Sequence, residues 1–351
     1  MNKRHPKVLV VATSSKTRGG ITAVINAYKT TKFWNDHNCV WFETHIDKNP
    51  IDKIIYFFRS LVQFIVFLPT ASLVHVHLSA PMSAKRKFPF LMLAKLFKIP
   101  ILIHFHAFSA ESTIDKKHYK LYCKIFRSAN TIIVLSESWK QGLIKDLNIS
   151  SDKIEVLYNP CPQIVLKNDI EKTNAILYAG TIESRKGYMD LIKSFAKIAS
   201  IYPEWKLVFA GNGEINEGIA LAKKLNIENQ VVFKGWVSGE EKERLFREAN
   251  VFCLPSYAEG FPMAVLDAWA YGLPVITTPV GGIPDVAKDG KNMLLFNPGD
   301  TKTLSEKLVE MISDKSLSDT ISNASLKFSQ NEFSLDSITN QLNIIYHKNI
   351  S

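Results

Sequence analysis

Short apolar runs punctuate the first half of the chain at VLVVA (8–12), LVHVH (73–77), ILIHF (101–105) and TIIVL (131–135), with longer helix-capable segments between them. Runs of that kind alternating with helices predict a parallel sheet covered on both faces. A second series follows at AILYAG (175–180), KLVFAG (206–211), VVFKG (231–235), VFCLPS (251–256) and PVITT (274–278). Between the two, NPCPQIVLKNDIEKT (159–173) has two prolines and a polar tail and reads as a linker. The pattern predicts an α/β chain of two doubly wound, Rossmann-like domains in tandem, over 1–162 and 163–332. Residues 333–351, where Ser334 precedes LDSITNQLNIIYH, read as a capped helix returning to the first domain.

One helix needs separate treatment. In KIIYFFRSLVQFIVFLP (53–69), Lys53, Tyr56, Arg59, Ser60 and Gln63 share one narrow face, with a wide apolar face opposite. The segment is too short and interrupted to span a bilayer. It reads as a helix packed on the first sheet, with an interfacial membrane helix as the alternative. Lys85, Arg86 and Lys87, followed by FPFLMLAKLFK, repeat the combination of basic cluster and apolar surface.

Composition adds a charge asymmetry. The chain of 351 residues is 46% hydrophobic and 22% charged, as expected of an ordinary folded protein. Residues 1–160 hold 23 basic and 10 acidic residues, a net of +13, whereas the remainder is slightly acidic. A polyanion, an anionic membrane surface or a charged substrate approaching the first half would account for this. The four cysteines form no C-x-x-C pair, so neither a disulfide framework nor a zinc site is indicated. A reducing cytoplasm fits, and VLVVA is too short to be the core of a signal peptide.

The stretch AEGFPMAVLDAWAYG (258–272) sets Glu259 before a helix that Pro262 suits as its first turn, and Asp267 inside that helix. The amides of Gly260 and Phe261 would point out of the helix start, where the macrodipole favours an anion. Acids beside an anion site are poor phosphate ligands, but they suit the hydroxyls of an attached sugar or ribose. In TSSKTRGGITAVI (13–25), Gly19 and Gly20 follow the first strand and open a helix, a place where backbone amides can approach a phosphate. His104 and His106 share one side of their strand; His104, like His75, reads as core, and His77 is a weak candidate for acceptor contact.

The run PSYAEGFPMAVLDAWAYGLPVITTPVGGIPD (255–285) resembles the signature of the family 4 retaining glycosyltransferases, with E-x7-E in the second domain of a GT-B fold. The order of the other features matches: a Gly-Gly loop after the first strand, a histidine after a first-domain strand, and GTIESRKG (180–187) after the linker. The resemblance implies that Glu259 contacts the transferred sugar, Asp267 the ribose, and Lys186 the donor diphosphate. It further implies backbone contacts from Gly19, Gly20, Gly260, Phe261 and Gly282, and places His106 by the reacting sugar. Two departures stand out: Asp267 replaces the usual Glu, and Thr181 stands where the family often has Arg, which leaves Arg185 to offer the missing charge. The implied reaction needs no metal and no cofactor. A nucleotide-sugar donor would be held mainly by residues 175–300 and a glycan or lipid-linked acceptor by the first domain, across an interdomain cleft. The basic first half and its apolar helices add a membrane-presented acceptor to this expectation, as in bacterial surface polysaccharide assembly. The enzyme would then be cytoplasmic, peripheral at the inner face of the cell membrane. A nucleotide-sugar epimerase or hydrolase on the same fold is the alternative. A nucleic-acid-binding protein is a weaker one, since it leaves Lys186, Glu259 and Asp267 unused. A dehydrogenase lacks its G-x-G-x-x-G after the first strand.

Overall fold

The computed structural model describes residues 7–106, 114–165 and 171–350. The end of the ILIHFHAF run (107–108) and part of the expected linker (166–170) lie outside the described residues. The chain divides into two compact units, Met1–Pro160 with Leu335–Ser351, and Cys161–Ser334.

The first unit is built on a parallel sheet of six strands, β1 (Val8–Ala12), β2 (Val40–Glu43), β3 (Leu73–Leu78), β4 (Ile101–Phe105), β5 (Thr131–Val134) and β6 (Ile154–Val156), in the order β2-β1-β3-β4-β5-β6. Strands β1, β3, β4 and β5 are buried along their whole length, which is why they show as unbroken apolar runs. One face carries α3 (Pro50–Phe67), α4 (Pro81–Leu96), α5 (Tyr119–Ser128) and α6 (Glu137–Leu147), with Phe64, Phe90, Phe126 and Leu143 in the shared core. To the other face belong α1 (Gly20–Lys29), α2 (Lys32–Asp36) and the last helix, Leu335–Ile350. That last helix is fastened to the sheet by Tyr346, whose hydroxyl lies 2.7 Å from His75 Nδ1, and by Thr131 Oγ1, which donates to Asn349 Oδ1 at 3.0 Å. The hydroxyl of Ser334, the residue expected to cap it, donates to the Asn331 carbonyl at 2.8 Å.

Helix α3 corrects the expected orientation. Its buried residues are Ser60 and Phe64, so part of the polar face turns toward the sheet. The side chains of Ile51, Ile54, Ile55, Phe58, Val62, Ile65 and Val66 are exposed.

The second unit repeats the plan. Strands β7 (Ala175–Ala179), β8 (Lys206–Ala210), β9 (Val231–Gly235), β10 (Val251–Leu254), β11 (Val275–Thr277) and β12 (Leu294–Leu295) form a parallel sheet in the order β12-β11-β10-β7-β8-β9. The helices between them are α7 (Tyr188–Ala196), α8 (Ile215–Lys224), α9 (Gly239–Glu248) and α10 (Met263–Ala270), followed by α11 (Thr301–Ser313) and α12 (Lys315–Gln330). In each sheet the chain winds outward in one direction and then in the other. The reversal falls between β1 and β3 in the first unit and between β7 and β10 in the second. The loops leaving the C-terminal ends of such strands diverge and leave a crevice, where open α/β sheets bind ligands.

Candidate active site

In the second unit, the loop after β7 carries Arg185 and Lys186, and the loop after β10 carries Ser256 and Glu259; the two flank the reversal point. Close backbone packing holds them together. Gly187 has φ 68°, and a Cβ built on it would lie 2.0 Å from the Pro255 carbonyl oxygen, so only glycine fits. The Tyr257 amide donates to the Arg185 carbonyl at 2.8 Å and ties one loop to the other. Lys186 Nζ then reaches Glu259 Oε1 at 2.5 Å, a pair 73 residues apart in sequence. Ser256 Oγ donates to the same oxygen at 2.7 Å. Arg185 donates to the Ala258 carbonyl at 2.6 Å, forms an ion pair with Glu183 and stands 4.0 Å from Glu259 Oε2. Glu259 is 7% exposed, so this carboxylate has been withdrawn from water and is supported by charge and hydrogen bonds on one of its oxygens.

The other residues of this unit expected to contact the donor lie in the loops around this pair and on α10. Gly281 (φ 63°) lies against the Glu259–Gly260 backbone, with a Cβ position 2.3 Å from the Gly260 carbonyl oxygen. The Gly282 amide donates to that carbonyl at 2.7 Å. The expectation that Gly282 presents its N–H to a ligand is therefore corrected: the N–H closes the turn that buttresses Glu259. The Phe261 side chain is core, packed on Phe333 and Trp269 at ring distances of 5.2 and 6.0 Å. Pro262 stands just before α10 as its N-cap rather than inside its first turn. Asp267, on α10, accepts from Lys242 Nζ at 2.7 Å. Burial pushes the Asp267 carboxyl upward, and Lys242 opposes that shift.

In the first unit, Gly19 is the N-cap residue of α1, which has no side-chain cap and no acid in its first turn. The loop before it is positioned by Glu43, which accepts from Ser14 Oγ and the Ser15 amide, both at 2.9 Å. Beside it, at the C-terminal ends of β3 and β4, four imidazoles form a ladder. His77 and His104 are register partners, and the His104–His106 and His75–His77 rings stack at 4.1 and 4.3 Å. His77 Nδ1 lies 2.9 Å from His106 Nε2. Burial pushes His106 down to about 3, and His77 and His104 fall well below the ordinary imidazole value for the same reason, so the ladder is neutral. Lys87, buried behind it, donates to the His77 carbonyl and to Ser83 Oγ, and burial pushes it down to about 7. The ring nitrogens of His75, His77 and His104 lie within 4.8 Å of one another. The rings stack face to face, however, and a buried lysine stands alongside, so the surroundings oppose a cation.

Two family models match the sequence: glycosyl transferases group 1 over residues 163–328 and glycosyltransferase family 4 over residues 38–162. Together they span residues 38–328, and the chain belongs to the glycosyltransferase families they describe. It is 28% identical over 245 residues to an uncharacterized glycosyltransferase of Methanocaldococcus jannaschii, covering 65% of this chain and 62% of that protein. It is 30% identical over 232 residues to a capsular polysaccharide biosynthesis glycosyltransferase of Staphylococcus aureus, covering 65% of this chain and 58% of that protein. The chain thus spans less than two thirds of the length of each of these relatives. Among solved structures it resembles HepE of Anabaena in complex with UDP, with a TM-score of 0.77, 16% identity, and coverage of 97% of this chain and 100% of that one. That likeness carries the fold: two Rossmann-like domains of the GT-B class.

Two residues around the site, Lys242 and Glu214, give no signal in the sequence. Lys242 lies on a helix whose charge pattern reads as an ordinary solvated face. Glu214, which accepts from Tyr188 Oη at 2.9 Å and from Ser184 Oγ at 3.3 Å, follows a Gly-Asn-Gly turn after β8 and gives no signal beyond that turn.

Proposed function

We propose that the protein is a retaining, metal-independent glycosyltransferase that moves a sugar from a nucleotide donor to a glycan or lipid-linked acceptor presented at a membrane, in the assembly of a bacterial surface polysaccharide. The observation that carries this reading is the Lys186–Glu259 pair, with Arg185 beside it, at the reversal point of the second sheet. A departing nucleotide gains negative charge as its bond to the sugar breaks. Fixed cations in a partly dry crevice stabilise that charge far better than water-exposed ones would. Lys186 and Arg185 supply it at the diphosphate. Glu259, an acceptor held in place by Lys186 and Ser256, takes hydrogen bonds from sugar hydroxyls through its second oxygen. Asp267 binds the ribose if Lys242 yields it. For the first unit, Gly19 and Gly20 are proposed as backbone contacts to the donor's phosphates. His106, neutral and engaged through Nε2 with His77, offers Nδ1 to the sugar.

The capsule relative supports a polysaccharide product, and HepE's complex with UDP makes uridine donors the first to try. Retention at the anomeric carbon and independence of metal rest on the family resemblance. The protein is proposed to work in the cytoplasm, against the inner face of the membrane. The test is transfer of labelled sugar to a membrane extract containing lipid-linked acceptors, with EDTA present and product configuration read by NMR. Donor consumption with free sugar or an epimer as the only product would replace transfer by hydrolysis or epimerisation.

A further inference from the structure

The outer side of α3 has no partner among the described residues. The exposed residues Ile54, Ile55, Phe58, Val62, Ile65 and Val66 are between 42% and 68% accessible. At about 100° per residue they fall within one arc of about 120°. The opposite side of the helix is anchored in the core, where Phe64 packs on Phe42 and Phe90 with ring centroids at 5.4 and 5.0 Å. The stripe is therefore a ridge on a firmly seated helix. A surface helix in water ordinarily turns polar residues outward and its apolar stripe inward, whereas α3 is apolar on both sides. No helix among the described residues is long and apolar enough to cross a membrane, so α3 does not act as a span.

Charge selects the occupant. From residue 53 to residue 110 the sequence contains no acidic residue. Arg59 at the edge of the ridge on α3, Lys85 and Lys95 on α4, and Lys98 just beyond it are all exposed. Asp47 and Asp52 stand only at the N-terminal end of the stripe. A second copy docked on the ridge would set one basic surface against another, a repulsive arrangement. An anionic lipid surface meets both demands at once: the acyl region takes the ridge and the headgroups take the flanking cations.

We propose that α3 is a membrane-docking helix that lies in the plane of an anionic bilayer, with its Ile-Val-Phe ridge at the level of the outer acyl chains. This rests on the membrane-presented acceptor proposed above only for its purpose; the docking itself is a property of the first unit. The full chain should float with vesicles of phosphatidylcholine mixed with phosphatidylglycerol, bind pure phosphatidylcholine vesicles weakly, and be released by salt. The double variant Phe58→Gln/Val62→Gln changes two exposed positions and leaves the core intact, so its circular dichroism should match the wild type. Its vesicle binding should fall by about tenfold or more. Phe58→Trp should show a blue-shifted emission on adding the mixed vesicles and none with phosphatidylcholine alone. Absence of flotation, flotation unaffected by the double variant, or a salt-sensitive dimer that the double variant dissolves would each overturn the proposal. Binding of nucleotide sugars by the double variant is read in parallel. Its absence in wild type and variant alike would count against the transferase reading and leave the docking result standing.

Discussion

Acidification should weaken the first unit in a way that traces to the histidine ladder. His75, His77 and His104 are 1%, 0% and 0% exposed, and burial lowers all three, His75 to about 3. An imidazole whose folded value lies below its unfolded one binds its proton more readily in the unfolded chain. The stability it contributes is complete above the unfolded value and is lost as the pH falls below it. With an unfolded value of about 6.5, each such histidine loses about 1.3 kcal/mol between pH 7 and 5.5, and the four of the ladder, with His106 also lowered by burial, lose about 5 kcal/mol together. Lys87, lowered to about 7, is protonated in both states over most of that window and adds little slope. His104 gives the cleanest perturbation, because neither of its ring nitrogens has a partner among the described residues. His104→Leu should be close to neutral at pH 7, since an apolar replacement leaves no group unsatisfied, and should reduce the loss by about 1.3 kcal/mol. The assay is urea unfolding at pH 7.0, 6.5, 6.0 and 5.5, followed through exchange protection of β3 and β4, which isolates the first unit from the second. The same loss in wild type and His104→Leu, or a wild type as stable at pH 5.5 as at pH 7, would refute the neutral buried ladder.

Gly187→Ala should cost more than about 2 kcal/mol in unfolding measurements of the second unit, because the new methyl must displace the Pro255 carbonyl at a positive φ. Asp267→Asn separates a structural acid from a ribose ligand. Both readings expect a folded protein, but only the ligand reading expects the Kd for the nucleotide, by calorimetry, to rise about tenfold. Chelation by EDTA should leave transfer unchanged; loss of activity restored by one divalent ion would overturn the metal-independent chemistry.

Much of this architecture is legible in the residues because a parallel strand buried on both faces must be apolar throughout, as in VLVVA and TIIVL. The strands that escape are β2, β6 and β12, each of two to four residues and each far from the sheet's centre. Short strands toward an edge bury less and so have no continuous apolar signal. Periodicity showed that α3 segregates its residues but not which side meets the sheet. Ser60 is small enough to sit against the core, and a hydrophobic stripe fits a lipid surface as well as a protein one. At the candidate site, Glu259 and Lys186 stand out through ordered motifs. The partners that set their geometry, Ser256, Arg185 and the Gly281–Gly282 turn, act through close backbone approaches between distant segments. Spacing along the chain carries no trace of the hydrogen bond that withdraws the Gly282 amide, nor of the pairing of Asp267 with Lys242.

The most direct test of the central claim is the thermal midpoint of the full chain against a panel of UDP-, GDP-, ADP- and dTDP-sugars, repeated with Lys186→Ala and Glu259→Ala. A ligand at about a hundredfold excess over its Kd adds about 2.7 kcal/mol, enough to raise the midpoint of the unit that holds it by several degrees. The account predicts a rise with one nucleotide class that is lost or strongly reduced in both folded variants. No rise with any donor, or an undiminished rise in both variants, would contradict it.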